Sequence, residues 1–494
     1  MNILFNILIL GIIFTPLFGF ILITFVKKTD FNALRIIANL TGIITFIEAI
    51  ILLIFYNKLL CLFQYVFVFN WLNYTQLYFT FGFDSFSLIF IVLSAFINCC
   101  CFLACWNNYL KGESKLFYQS FLIQEVILHL VFSVMDILLF YVFFESVLIT
   151  MFIIIGIFGS RERKVRASYM FFIYTLLGSV LMMLSILFIY FYVGTTDYLS
   201  LLTVDFSHNL QKILWLTFFF SFAVKVPMLP FHIWLPEAHV EAPTVGSVIL
   251  AGILLKLGTY GFLRFSLPLF PYASIYFTPL VYTIAIIGLI YSSLTAIRQT
   301  DIKRIVAYSS IAHMNLIMIG LFSLEFAGIE GSIVQMISHG LVSGGLFLLV
   351  GVLYDRYHTR LIKYYGGVVQ VMPIFVTIFL VFTLANMAFP TSSSFVGEFL
   401  IFMGTFNSNM IIGFFATTGM LLGGVYSLWL FNRVCYGNIN LHYIHFLKDM
   451  YSHEFFIFII LLFVIMLIGI YPVFLTKILD IFSGNILLLI INNI

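Results

Sequence analysis

The chain has 494 residues, of which 63% are hydrophobic and only 9% charged, with a formal net charge of +3. A soluble domain carries about 25% charged residues, so nearly the whole chain is expected in lipid, and a separate soluble domain is excluded. At about 20 residues per span plus loops, this length allows on the order of 14 transmembrane helices.

The apolar runs in chain order place spans near 3–26, 33–56, 84–106, 117–134, 136–158, 167–193, 210–229, 243–266, 276–297, 302–322, 327–355, 372–406, 410–434 and 454–482. The stretch 3–26 is too long and apolar for a transit peptide and lacks Arg and Ser, so it is expected as a retained first span. Residues 57–83 alternate aromatic and polar and are expected to form a short hairpin outside the membrane. Cys61, Cys99, Cys100, Cys101, Cys105 and Cys435 have no metal-site spacing; the four in 99–105 read as small helix-packing residues. In the loops, 17 basic residues fall on one side, among them Arg161, Arg163, Lys164, Arg166, Arg356, Arg360 and Lys363, against Lys58, Lys212 and Arg264 on the other. By the positive-inside rule the first set faces the matrix or cytoplasm and both termini face away from it.

The stretch Lys225–Gly261, KVPMLPFHIWLPEAHVEAPTVGSVILAGILLKLGTYG, organises the rest. Lys225 and Lys256 lie inside apolar runs, where a charge costs about 2.5–3.5 kcal/mol on insertion scales. Pro227, Pro230, Pro236 and Pro243 interrupt the helix between them. Irregular backbone at membrane depth is tolerated only inside protein or beside water, so the segment reads as a polar centre. A second break falls in NMAFPTSSSFVGEF at Pro390, followed by Glu398. Two interrupted spans about five helices apart suggest inverted repeats. The expected fold is an all-α polytopic membrane protein with two inverted five-helix repeats and broken helices. Its parts are N-terminal helices 1–116, a first repeat 117–266, a second repeat 276–434 and a C-terminal helix 454–494, in one membrane domain.

The run HIWLPEAHVEAPTVGSVILAGILLKLGTYG closely resembles the subunit 4 family of respiratory NADH dehydrogenase, an antiporter-like membrane chain of complex I. The resemblance covers roughly residues 84–436. Subunits 2 and 5 of the same assembly carry a related W-x-P-D/E segment without AHVEAP and LLKLGTYG. The resemblance implies proton translocation through a central hydrophilic axis, with other complex I subunits, especially antiporter-like subunits 2 and 5, as partners. It places NADH, FMN, iron–sulfur clusters and ubiquinone on those partner subunits and no cofactor on this chain. Membrane lipids and protons are its other expected contacts, and nucleic acid is not. The excess of Phe (61) and Tyr (27), with much Ile, Leu and Asn, reflects AT-rich codons. That fits an organelle-encoded protein of the mitochondrial inner membrane; a plastid remains open.

Six residues are the expected proton-translocating set: Glu145, Lys225, Lys256, His313, His339 and Glu398. Glu145 is alone between Asp136 and Arg161 and needs a cation to stay ionised; Lys225 is its natural partner. The local motif resembles the family's F-E-x-x-L-I-P, but Thr150 stands where the family has proline. Lys256 has no acid in its own span, and a lysine able to lose its proton suits a relay; the plain alternative is a snorkelling side chain. His313 and His339 sit among small residues in apolar spans. Each could be an ordinary buried histidine, and the resemblance assigns both to the axis. It also assigns Glu398 to the axis end nearest the intermembrane side. Glu125 precedes His129 by four residues on one helix face, and Glu48 is alone in span two; structural or interface roles suit them. His232, Glu237, His239 and Glu241 lack the spacing of a helical zinc motif, and no nucleotide, haem or cluster motif is present.

Two other functions share these features. An Mrp-type cation/proton antiporter subunit would show sodium-dependent transport without NADH, and a non-transporting scaffold would tolerate neutral residues at Lys225 and Glu398. The charge bias makes a topological prediction. Single cysteines placed in the Arg161–Arg166 loop and in the Arg356–Lys363 loop should label from the same face of sealed vesicles. Labelling from opposite faces would remove the even number of crossings expected between them.

Overall fold

A computed structural model describes residues 2–58, 63–72, 77–106, 113–439 and 448–492. Among these residues twelve helices are long and apolar enough to cross a membrane, with Leu10–Phe25 and Pro373–Asn386 as shorter apolar helices. The all-α polytopic architecture is as expected, but the count of 14 spans is not confirmed. The predicted span 372–406 is two helices, Pro373–Asn386 and Ser393–Ser408. The predicted span 454–482 is also two, Ser452–Ile470 and Val473–Asn492. Pro472 explains the second division, because the residue before a proline is driven out of helical geometry, and Tyr471 has φ −125° and ψ 67°. Residues 57–83 do form a hairpin, Gln64–Leu72 antiparallel to Leu77–Phe83. Cys61 and Lys111 lie outside the described residues.

The usual soluble pattern is turned inside out. Phe191 and Leu421 are 82% and 73% exposed, whereas Lys256 and His339 are 0% and 3% exposed. The outer helices present Leu, Ile and Phe to lipid, and polar groups collect where the helices bury one another. Thr244–Leu269, Ile302–Phe322 and Phe326–Tyr357 are almost wholly buried, while Met410–Cys435 and Ser452–Ile470 bury only about a quarter of their residues. The buried helices carry Lys256, His313 and His339.

Two compact units divide the chain. The first comprises Met1–Lys225, Leu257–Tyr276 and Lys477–Ile494. Its internal anchor is Arg264, which the charge tally had placed in a loop. The side chain is instead buried in a π-turn, Phe262–Ser266, with its guanidinium 2.7 Å from Asp84. Asp84 also caps Ser85–Ala104 by accepting from the Ser87 amide. Phe63, Tyr260 and Phe482 rings lie 5.0, 5.4 and 5.5 Å from the guanidinium.

The second unit comprises Val226–Lys256 and Phe277–Thr476. Its tightest packing joins Phe326–Tyr357 to Ser393–Ser408 through glycines. A Cβ at Gly404 would lie 2.4 Å from the Gly328 backbone nitrogen, and one at Gly397 would lie 2.8 Å from the Gln335 nitrogen. The break that precedes Ser393–Ser408 puts Ala388 at φ 57° and Thr391 at φ 82°, an outlying geometry for a β-branched residue. Packing holds it: a Cβ at Gly469 would fall 2.0 Å from the Thr391 carbonyl oxygen. The broken backbone is satisfied locally, with the Ser392 amide and hydroxyl both donating to the Phe389 carbonyl at 3.1 and 2.7 Å.

The glycine contacts give a paired prediction. Gly404→Ala forces two helix backbones apart and should cost roughly 1–3 kcal/mol, as overpacking does. Gly424→Ala meets nothing within 4 Å and should cost nothing. Thermal unfolding of the purified protein in detergent should separate the two; equal melting temperatures would contradict the close helix contact.

Candidate functional site

The six residues expected to move protons fall into two groups, one in each unit. In the first unit Glu145 and Lys225 lie on Ile137–Phe158 and at the end of His208–Lys225. The Ile137–Phe158 helix runs unbroken through Thr150, whose hydroxyl donates to the Val147 carbonyl at 2.9 Å; it needs no proline here. Glu145 and Lys225 act on each other electrostatically, and Ser179 donates to the Leu176 carbonyl at 2.9 Å. Among the described residues, however, no ion pair joins them. The Lys225 ammonium instead donates to the Phe144 carbonyl at 3.4 Å and stands 4.1 Å above the Phe144 ring, a cation–π contact. One carboxylate oxygen of Glu145 has no hydrogen-bond partner. Lys225 is therefore docked on the residue next to Glu145 rather than on Glu145 itself.

In the second unit four residues form a line. Leu250–Leu254 widens into a π-turn, a distortion frequent at functional sites because it alters the regular carbonyl ladder. Lys256 follows it, donating to the Ala251 carbonyl and standing 2.7 Å from His339 Nδ1. With the ammonium donating to Nδ1, the neutral His339 ring carries its hydrogen on Nε2. The His339 and His313 ring centres are 5.7 Å apart, and neither Nε2 has a hydrogen-bond partner among the described residues. His313 Nδ1 is 3.2 Å from Glu398 Oε1. The sequence order Lys256, His313, His339, Glu398 thus becomes the spatial order Lys256, His339, His313, Glu398.

Packing also brings in residues that the sequence reading passed over. Gln335 donates to Glu398 Oε1 at 3.2 Å. It precedes His339 by four residues on the same helix, so the i, i+4 rule could have found it. Ser338 meets Ser393 and Ser394 at 3.0 and 3.1 Å, where the second break re-enters helix. A small cavity beside Glu398 is lined by His313, Asn386, Met387 and Tyr426 among others, and has room for about one water. The π-turn has no signature in residue type, and nothing in the sequence announced it.

The other polar residues go to structural partners. Glu125 accepts from the Thr45 hydroxyl at 2.9 Å and His129 Nδ1 lies 3.1 Å from the Ile12 carbonyl. Glu48 accepts from Thr15 at 3.0 Å. Glu237 pairs with Arg304 at 2.7 Å, and His239 stacks on Phe347 with centroids 4.5 Å apart. The carbonyl end of Trp234–Glu241 is held by cations: Lys303 donates to the Ala242 carbonyl at 2.7 Å and Arg360 donates to that of Val240, complementing the helix dipole. Cys100, Cys101, Cys105 and Cys435 are buried, and Cys99 is half-buried.

The sequence and the fold have known counterparts. The family described as NADH:quinone oxidoreductase/Mrp antiporter, TM, matches residues 134–423. The NADH-ubiquinone oxidoreductase chain 4 of Arabidopsis thaliana is 54% identical over 94% of this chain and 93% of its own. That of Chondrus crispus is 52% identical over 95% of each. A chain of respiratory complex I from Thermus thermophilus superposes with a TM-score of 0.89 at 26% identity, covering 98% of this chain and 99% of that one. A chain of the Mrp complex from Dietzia superposes at 0.85 with 16% identity, over 98% and 97% of the two chains, a likeness of fold alone. With half of its residues shared along nearly its whole length, the chain belongs to the NADH-ubiquinone oxidoreductase chain 4 family.

Proposed function

We propose that this chain is a proton-translocating membrane subunit of respiratory NADH:ubiquinone oxidoreductase, complex I, in the mitochondrial inner membrane. The observation that carries the reading is the buried line Lys256–His339–His313–Glu398. NADH oxidation and quinone reduction, with FMN and iron–sulfur clusters, belong on partner subunits in this reading, and antiporter-like subunits 2 and 5 are its particular membrane partners.

The residues have the chemistry for a relay. Lys256 Nζ lies 2.7 Å from His339 Nδ1; when a proton moves from the ammonium to Nδ1, the ring can release the one on Nε2. A histidine passes charge this way because it has two distinct nitrogens. The 5.7 Å between ring centres needs a bridging water, which costs little when both ends are polar. His313 then hands its Nδ1 proton to Glu398 across 3.2 Å. Gln335 holds the Glu398 carboxylate in place from the other side.

The Glu145–Lys225 pair supplies the control. A carboxylate nearby favours the protonated lysine, and withdrawing it favours proton release. Lys225 seated on Phe144 represents the parted arrangement, and a direct ion pair would be the closed one. Each proton driven against the membrane potential requires about 2.3 kcal/mol per 100 mV, which the redox reaction on the partner subunits would provide.

Two substitutions test this. Glu145→Gln keeps size and hydrogen bonding but cannot carry charge. With assembly verified on a native gel, it should reduce NADH-driven quinone reduction and vesicle acidification together. Normal rates of both in an assembled complex would refute a titrating role. His339→Gln preserves an acceptor for Lys256 but has no second exchangeable nitrogen. Acidification should fall about tenfold or more, a barrier increase of ~1.4 kcal/mol; unchanged acidification would place the proton route elsewhere. Sodium-driven transport in the absence of NADH would favour an antiporter instead.

A further inference from the structure

The second unit has a cleft of about 640 Å³, within the range of about 300–1,000 Å³ of small-molecule sites. It is remote in kind from the relay: its lining includes Arg298, Lys363, Arg433, Trp429 and Tyr365, and no acidic residue. Three cations therefore share one concavity whose lining, among the described residues, contributes no carboxylate. Arg298 and Arg433 have no hydrogen bond or ion pair among the described residues, and Lys363 stands 4.8 Å above the Tyr364 ring. All three are exposed.

The cleft opens at the end of two lipid-facing helices. Arg298 ends Thr278–Arg298, and Arg433 lies in the last turn of Met410–Cys435. These helices are in direct contact, since a Cβ at Gly419 would meet the Leu289 side chain at 2.4 Å. Ile287, Tyr291 and Leu294 are exposed and lead to Arg298 at helical spacing. Val425 is exposed and leads through Trp429 to Arg433 at steps of four residues. Each helix thus carries an apolar stripe, then an aromatic or basic residue at its end. Trp and Tyr mark the depth of the headgroups in membrane proteins, and Arg and Lys lie just beyond them on the positive side.

The geometry points to a binding site for an anionic phospholipid, its phosphate held by Arg298, Lys363 and Arg433 and its acyl chains laid along the Ile287–Leu294 and Val425–Trp429 stripes. Charge complementarity selects the headgroup, because basic pockets between transmembrane helices attract anionic lipid, and planar guanidinium groups bind phosphate oxygens in pairs. A zwitterionic lipid would bring its own ammonium among three cations. A free anion would leave the stripes without a role.

The test is photolabelling of the intact membrane complex in mixed vesicles. A phosphatidylglycerol analogue with a photoreactive group on its acyl chain is compared with the matching phosphatidylcholine analogue. Anionic label should map to peptides 287–298 and 421–433 and exceed the zwitterionic label by roughly tenfold or more, as pairing with two or three cations implies. Equal labelling by both probes would overturn the proposal, as would no label because a protein chain covers the cleft. Displacement of the label by inorganic phosphate would assign the site to a free anion. The triple variant R298Q/K363Q/R433Q should lower anionic label to the zwitterionic level, while R161Q/R163Q/R166Q should leave it unchanged. If the triple variant fails to assemble, the comparison of the two probes on the unaltered complex still decides the matter.

Discussion

Lys256 has no exposed surface and sits in a helix that is buried along its length. An ammonium in such a place must be paired, hydrogen bonded or able to lose its proton. The surrounding structure answers that demand with neutral acceptors beside its side chain. A π-turn offers the Ala251 carbonyl, and His339 offers a ring nitrogen. A histidine accepts a hydrogen bond from the lysine and can also take its proton, which an acid-locked ion pair would resist. The same constraint then passes along the line. His313 and His339 are buried in turn, and Glu398 with Gln335 supplies polar partners at one end.

The two ion-handling devices in the first unit solve the same problem in opposite ways. Arg264 is sealed to Asp84 at 2.7 Å within a ring of aromatic side chains. Removing either partner would strand a buried charge, so this pair reads as architecture. Lys225 and Glu145 are held near each other but not sealed. An incomplete pair is a poor fastener and a good switch, because small movements change its electrostatic energy steeply in a low-dielectric setting. What distinguishes the two pairs is geometry, not residue type.

Helix breaks serve the same economy. The turns after Lys225 and before Ser393 interrupt hydrogen bonding where charged groups need to be approached, and close packing keeps the irregular backbone from unravelling. Gly469 against Thr391 and Gly404 against Gly328 are contacts at which no side chain fits. The glycines are therefore structural counterparts of the polar line: they let Phe326–Tyr357 and Ser393–Ser408 come close enough for Gln335 to reach Glu398.

Hydropathy and charge alone determined that the chain is a multi-span helical membrane protein, since lipid leaves the backbone no other economical solution. Residue type and isolation singled out Glu145, Lys225, Lys256, His313, His339 and Glu398, because a charged or titratable group in an apolar run is costly wherever it lies. The breaks at Lys225–Pro230 and Pro390 were legible from proline chemistry. The division at Pro472 was legible in principle, but the apolar run continued past it and concealed the turn. Tertiary structure decided the rest. It reversed the order of the two histidines along the line, buried Arg264 with Asp84, and kept Lys225 off Glu145. It also gathered Arg298, Lys363 and Arg433 into one cleft. None of these follows from sequence spacing, because each depends on which faces of separate helices meet, and glycine contacts distant in the chain set those faces.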